Sequence, residues 1–226
     1  MREFEDGVNR AHPLSIARAY LPRYPLYWYA RCKLASDPLY TGVGAVLRET
    51  RAPLLDLGCG IGLLAHTLRA QGFTEGYIGV DSDTKKIAAA RDAAERAGLR
   101  DVRYNCLDLA SEPFPAHRGS VALLDVLQFV AEPAATELVE RAAACIVPGA
   151  RLVIRSGIEN ADARTRFTRA VDRLSRSVGW MNAAPTHYPT RAGLESLLAR
   201  CGLRARFAPL SGRLPFNNWL IVGERN

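Results

Sequence analysis

Short apolar runs alternate with longer amphipathic stretches from residue 53 to the end of the chain. Glycine or proline bounds most of the amphipathic stretches, whose apolar residues recur at helical spacing. This alternation is typical of the βαβ units that build a parallel sheet. The predicted strands are Leu54–Leu57, Tyr77–Val80, Val102–Asn105, Val121–Asp125, Arg151–Arg155, Leu203–Ala208 and Asn218–Gly223.

Helices are predicted between these strands. The clearest one begins after Asp83, a good N-cap residue, and ends before Gly98, a good C-terminal stop. The predicted helices are Leu64–Gln71, Thr84–Ala97, Pro133–Ile146, Asp162–Ser177 and Thr190–Cys201. The sequence therefore predicts an α/β fold with a mostly parallel sheet.

The first 50 residues follow a different pattern, since aromatic residues are scattered among prolines. We expect helices laid over the sheet edge or the site as a cover or lid; the alternative is that the rings only pack this extension onto the core. We predict a single domain over residues 1–226, with a helical cover at 1–50 and the core at 51–226. The aromatic residues are Tyr20, Tyr24, Tyr27, Trp28, Tyr29 and Tyr40.

Charge and cysteine content narrow the choice of partners and location. The formal net charge is +7, but the basic residues are scattered, whereas nucleic-acid-binding proteins collect them in a patch. The five cysteines form no CxxC pair and are predicted to be reduced core thiols. No signal peptide, membrane-spanning run or metal-ligand spacing is present, so we expect a cytoplasmic protein without a membrane partner or metal, whose oligomeric state stays open.

The strongest feature is the first predicted strand, which runs into alternating glycines. Asp56, Gly58, Cys59, Gly60 and Gly62 form a D-x-G-x-G-x-G pattern before a helix. Glycines let main-chain N–H groups and a helix N-terminus approach a ligand with no Cβ in the way. We expect a cofactor to lie here, although a glycine turn that only packs helix on strand would share the pattern.

The spacing differs from the G-x-G-x-x-G loop with which nicotinamide enzymes cradle a pyrophosphate. It resembles the first motif of the Rossmann-like, class I S-adenosylmethionine-dependent methyltransferases, and the resemblance covers roughly residues 50–223. It implies a seven-stranded, mostly parallel sheet with an antiparallel last strand and helices on both faces. It also implies S-adenosylmethionine as cofactor and S-adenosylhomocysteine as product.

The same resemblance assigns cofactor contacts at later strand ends. Asp81 ends the second strand and would accept bonds from the ribose hydroxyls, as an acid there also does in dinucleotide sites, with Ser82 on the adenine side. Asp108 would reach the adenine amine, unless it is an exposed loop acid. The apolar neighbours that would sandwich the ring are Leu107 and Leu109.

After the fourth strand, Asp125 and Val126 would border the cofactor, although Asp125 is equally suited to capping a helix. Gln128 stands where family members often carry histidine, and it is assigned to acceptor binding because an amide is no base. Lys33 would pair with the methionine carboxylate or with an acidic acceptor; a solvated surface charge is the alternative.

The candidate catalytic base is His187, in a Gly-, Pro- and aromatic-containing connection after the fifth strand. Tyr188 and Asn217 are predicted to contact the acceptor. His66 and His117 are predicted to be structural or exposed.

We expect the function to be methyl transfer to a small aromatic molecule, at oxygen or carbon. The stretch 33–40 looks similar to small bacterial methyltransferases of aryl-polyene pigment biosynthesis. An RNA or protein methyltransferase of the same fold, a nicotinamide oxidoreductase and a non-catalytic cofactor-binding protein are the alternatives.

Overall fold

A computed structural model describes residues 13–158, 188–210 and 218–225. Every predicted strand is present, and its bounds differ from the prediction by at most two residues. The strands are β1 (Leu54–Leu57), β2 (Tyr77–Asp81), β3 (Val102–Cys106), β4 (Ser120–Leu124), β5 (Arg151–Gly157), β6 (Leu203–Pro209) and β7 (Asn218–Arg225).

Helices precede the first strand and connect most of the others. The described ones are α1 (Pro13–Arg18), α2 (Tyr24–Ser36), α3 (Leu39–Leu47), α4 (Leu63–Ala70), α5 (Thr84–Arg96), α6 (Ala134–Ala144) and α7 (Arg191–Arg200). Asp83 caps α5 as predicted, because its carboxylate accepts from two first-turn amides. The predicted helix 162–177 lies outside the described residues. None of the helices described here is both long and apolar enough to cross a bilayer.

The strands form one sheet in the order β3-β2-β1-β4-β5-β7-β6. The first five strands pair in parallel, whereas β7 runs antiparallel to both β5 and β6. The prediction of a mostly parallel sheet with an inserted antiparallel last strand is therefore confirmed.

The sheet is covered on both faces, because neighbouring residues of each strand point to opposite sides. Leu55 and Leu57 pack with the apolar side chains of α6 and α7. Leu54 packs on the other side with α3, α4 and α5. The result is a three-layer α/β arrangement with two cores.

The two N-terminal helices pack outside α4 and α5 rather than on the sheet. Tyr20 is buried here, and its hydroxyl donates to the main-chain oxygen of Ile61 at 2.9 Å, inside the glycine loop. Tyr24, Trp28 and Tyr29 are exposed instead. The aromatic residues of this segment thus divide: Tyr20 packs the extension onto the core, and three others face outward.

The cysteines are free, as predicted, but none is fully buried. Cys32 and Cys106 are exposed, and the other three are half-buried. The expectation of core thiols is therefore met in part, because Cys59, Cys145 and Cys201 pack against the two cores whereas Cys32 and Cys106 are exposed.

His66 is a buried histidine on α4, beside the Tyr20 ring. Its Nε2 has no hydrogen-bond partner among the described residues, and burial lowers its pKa to about 4. The neutral imidazole is thus a structural group, as the sequence predicted.

We expect acid to destabilise the fold through this residue. The unfolded chain takes up a proton at His66 near pH 6.5 and the folded chain only near pH 4, so protonation favours the unfolded chain between these values. The free energy of unfolding is therefore highest above pH 6.5 and falls by up to about 3 kcal/mol as the pH approaches 4. Urea unfolding of the wild type and of His66→Leu from pH 4 to 7 measures the difference. Identical pH slopes for the two proteins would contradict a neutral buried His66.

Candidate active site

The strand order reverses between β1 and β4, and both strands point their carboxyl ends to the same edge of the sheet. Open α/β sheets bind ligands outside such a switch point. Here the residues that follow β1 and β4 are in close contact. A Cβ added at Gly58 would lie 2.5 Å from a methyl carbon of Val126. Only glycine fits at this crossing.

The three glycines of the loop all have positive φ, at +82°, +57° and +80° for Gly58, Gly60 and Gly62. Each meets a different environment. A Cβ at Gly62 would lie 2.5 Å from the hydroxyl oxygen of Tyr104, whereas a Cβ at Gly60 would meet nothing within 4 Å. Gly58 and Gly62 are required by packing, and Gly60 leaves open space above the turn.

Most loop amides already donate within the protein. Gly58 and Cys59 donate to the Val80 oxygen at 2.8 and 2.9 Å, and Gly62 donates to the Cys59 oxygen at 3.0 Å. The expectation that these N–H groups serve a ligand is therefore wrong for them. The loop offers a ligand room rather than free donors at these positions.

Asp81 holds the loop from the end of β2. One carboxylate oxygen accepts from the Gly60 amide and the other from the Asp83 amide, each at 2.9 Å. A carboxylate oxygen has two acceptor sites, so each retains capacity for one further donor. Two hydroxyl groups are the donors that such a half-occupied carboxylate can receive.

A four-charge cluster lies next to this edge and joins α2 to the ends of β4 and β5. Arg155 pairs with both Asp125 and Asp37, whose oxygen is 3.1 Å from the guanidinium. Lys33 lies 2.8 Å from Asp37 and 3.9 Å from Asp125. Two cations and two carboxylates balance, so the cluster is neutral as a whole.

Burial and charge oppose each other within this cluster. Burial alone would raise the pKa of Asp37, but Lys33 and Arg155 outweigh it and hold that pKa below its usual range. Burial alone would lower the pKa of Lys33, yet Asp125 and Asp37 raise it. Lys33, Asp37 and Arg155 are therefore charged at neutral pH.

A model of the methyltransferase domain matches residues 54–149, which include the loop, Asp81 and β4. This part of the chain is therefore similar to a methyltransferase domain. The resemblance to the class I S-adenosylmethionine-dependent methyltransferases is thereby confirmed, whereas nothing tests the likeness to aryl-polyene enzymes.

Two curated relatives carry different acceptor names. The chain is 31% identical over 112 residues to a ubiquinone biosynthesis O-methyltransferase of Paracidovorax citrulli (strain AAC00-1), covering 49% of this chain and 45% of that one. It is 31% identical over 133 residues to a ribosomal protein L11 methyltransferase of Xanthomonas euvesicatoria pv. vesicatoria (strain 85-10), covering 57% and 40%. The chain thus spans less than half the length of these relatives.

The fold is shared more widely than the sequence. The crystal structure of magnesium protoporphyrin IX methyltransferase from Synechocystis PCC 6803 with bound SAH superposes with a TM-score of 0.65 at 17% identity. The match covers 94% of this chain and 99% of that one. The expected Rossmann-like architecture is therefore present over nearly the whole chain.

The predicted cofactor residues of the methyltransferase domain do not all meet. Asp56 is buried beneath the loop, with the Tyr77 hydroxyl donating to it at 2.5 Å. Cys59 is half-buried with its sulfur toward Gly79, and Ser82 is exposed. Asp56 is thus held inside the sheet by its bond with Tyr77 of β2.

Asp108 is an exposed turn residue, as the alternative had it. Its two carboxylate oxygens accept from the Ala110 amide at 3.0 Å and the Ser111 hydroxyl at 2.9 Å. These local bonds lower its pKa. Leu107 and Leu109 beside it are half-buried, so a contact with adenine stays a prediction for all three.

Asp125 is not a helix cap. The short 3₁₀ turn Leu127–Phe129 begins after Val126 and has no side-chain cap, while the Asp125 carboxylate is held by Arg155. Lys33 is likewise not a solvated surface charge. Only the Lys33–Asp37 pair of the cluster is local, four residues apart; the pairs with Asp125 and Arg155 join distant parts of the sequence.

On the acceptor side, the structure describes only part of the prediction. Gln128 lies in the 3₁₀ turn after β4, and Tyr188 is half-buried before α7. The predicted base His187 and the predicted contact Asn217 lie outside the described residues. Among the other histidines, His117 bonds the Ser120 oxygen at 2.9 Å, which is a structural role as predicted.

Sequence reasoning missed Arg155, Asp37 and Tyr104. A signal existed for Arg155, because it is a cation inside the otherwise apolar run of β5 and is 6% exposed. A charge inside a buried strand requires a partner. Asp37 and Tyr104 gave no comparable signal.

We expect the cluster to contribute unequally to stability. Arg155→Met leaves two carboxylates near the core without their shared cation and should lower the free energy of unfolding by about 3–5 kcal/mol. Lys33→Met leaves Arg155 in place and removes a partly exposed partner, so about 1 kcal/mol is expected. Urea unfolding of both variants measures this. Equal, small losses would mean that the cluster is an ordinary surface feature.

Proposed function

We propose that this protein is an S-adenosylmethionine-dependent methyltransferase acting on a small organic molecule. The observation that carries the proposal is the open space over Gly60 at the β1/β4 switch point, with the half-occupied Asp81 carboxylate beside it. The matched methyltransferase domain and the SAH-bound structural neighbour support this choice of cofactor.

The residues present fit such a cofactor. Asp81 would receive the ribose hydroxyls, and the bare turn at Gly60 would accept the amino-acid end without a side chain in the way. Ser82, Leu107, Asp108 and Leu109 would border the adenine, and Val126 the methionine side. Lys33 and Asp125 belong to the cluster with Arg155 and Asp37, in which the positive and negative charges balance. A bound ligand would therefore meet a neutral polar cluster and not a single cation.

When bound, the cofactor supplies an electrophilic methyl group on a sulfonium. The protein then has to hold an acceptor atom in line with that methyl and exclude water, which accounts for much of the acceleration in such displacements. Gln128 after β4 would orient the acceptor by hydrogen bonding. His187 stays a proposed base for an acceptor whose proton must leave, with Tyr188 and Asn217 as proposed acceptor contacts.

We further propose an aromatic acceptor methylated at oxygen or carbon. The aromatic N-terminal helices next to the site and the relative named for ubiquinone biosynthesis support it, and that name favours oxygen. The experiment is transfer of radiolabelled methyl from S-adenosylmethionine to a panel of phenols, aromatic acids and a ribosomal protein fraction. Label in the ribosomal fraction alone would overturn the small-molecule assignment.

Gly60→Ala should lose cofactor affinity at least tenfold, because its methyl group enters the proposed binding space. Gly72→Ala is the matched control, since Gly72 also has positive φ, at +85°, and open space, but lies after α4 away from the site. Both substitutions should cost a similar conformational strain of about 1 kcal/mol. Calorimetric titration with S-adenosylhomocysteine compares them; equal affinities would place the cofactor elsewhere.

Asp81→Ala should weaken cofactor binding by about 1–3 kcal/mol, because ribose hydroxyls and the Gly60 amide lose their acceptor. Asp81→Asn keeps one acceptor oxygen and should lose less. Dissociation constants of both variants for S-adenosylhomocysteine provide the measurement. An unchanged affinity in Asp81→Ala would contradict the ribose assignment.

A further inference from the structure

Asp56 is a carboxyl group buried in β1, two residues before the first glycine of the loop. It is 2% exposed, and within the described part of the chain its carboxylate accepts a hydrogen bond from the Tyr77 hydroxyl at 2.5 Å. A carboxylate removed from water needs a cation or several donors to stay charged. One phenol hydroxyl offsets only a small part of the free energy that burying a charged carboxylate costs.

The ionisable groups around Asp56 provide no positive charge. Tyr77 and Asp81 face it from β2, Tyr104 from β3 and Cys59 from the loop. No lysine, arginine or histidine of the described residues contributes to its ionisation. Burial raises the pKa of Asp56 to about 7, with the Tyr77 hydrogen bond opposing and Asp81 adding to the rise.

The proposed cofactor carries the charge that is missing here. Its amino-acid end bears an ammonium group, and Asp56 is close enough to interact electrostatically with Cys59 and Asp81, which flank and hold the bare turn at Gly60. A unit positive charge about 6 Å from a buried carboxyl, at an effective dielectric constant of about 20, would increase its acid dissociation constant about a hundredfold. The carboxyl would then be ionised at neutral pH.

We propose that Asp56 releases a proton to solvent when the ammonium group of the cofactor binds over the glycine loop. The inference rests on the proposed function and goes beyond it, because it makes ligand affinity depend on the ionisation of a residue buried behind the site. The proton leaves the carboxyl oxygen, and the negative charge left behind faces the bound cation. Affinity should therefore rise up to tenfold per pH unit below pH 7 and level off above it.

The test is calorimetric titration of the whole protein at pH 7 in phosphate and in Tris, whose ionisation enthalpies differ. The dependence of the binding heat on buffer gives the number of protons released. About half a proton per site is expected with S-adenosylmethionine and with S-adenosylhomocysteine, since the carboxyl is half-protonated at its pKa. 5′-Methylthioadenosine has no amino-acid end and should release none.

Asp56→Asn should bind without proton release, whereas Asp101→Asn, a change at an exposed acid before β3, should behave as wild type. Tyr77→Phe provides a second route if Asp56→Asn does not fold. It removes the bond that favours the charged carboxylate, so the pH at which affinity levels off should move upward.

The outcomes separate the two proposals. No binding heat with any of the three ligands would overturn the proposed function. Binding by the wild type without proton release, or release that persists in Asp56→Asn, would overturn the coupling alone. Release with S-adenosylmethionine but not with S-adenosylhomocysteine would overturn the ammonium assignment, because only the first carries a sulfonium.

Discussion

The hydrogen bond from the Gly60 amide to the Asp81 carboxylate joins the turn after β1 to the end of β2. The two strands are neighbours in the sheet, so this one bond fixes the loop relative to the acid. The loop in turn sets the start of α4 through Gly62. The open space at the switch point therefore exists because the sheet register, the acid and the glycine turn are fixed together.

The strands next to that turn are mostly apolar, but three of them carry one polar side chain each inside the core. Asp56, Tyr77 and Tyr104 occupy positions in three adjacent strands, and the Tyr104 hydroxyl has no partner among the described residues. Such groups cost free energy in a core unless something compensates them. The three groups lie in the strands next to the glycine loop, which fits a site whose ligand completes the electrostatics.

Local patterns were sufficient for the fold and for part of the site. Periodicity predicted all seven strands, and the glycine spacing with Asp81 predicted the switch-point loop, because these signals lie within a few residues of one another. Arg155 and Asp37 are 118 residues apart in sequence but pair in space. Sequence patterns of one chain do not encode such pairings. Asp108 differs, because its described partners lie in its own turn and its contact with adenine stays a prediction.

The hydrogen bond from the Tyr20 hydroxyl to the Ile61 oxygen joins the N-terminal helices directly to the backbone of the loop. The matched domain begins at residue 54, yet the shape of its ligand-facing turn is secured by a side chain 41 positions upstream. The boundary given by sequence similarity thus separates Tyr20 from the loop to which it is hydrogen-bonded. A fragment trimmed to the matched region would keep β1 to β4 but lose β5 to β7, and it would also release the Tyr20 anchor of the turn after β1.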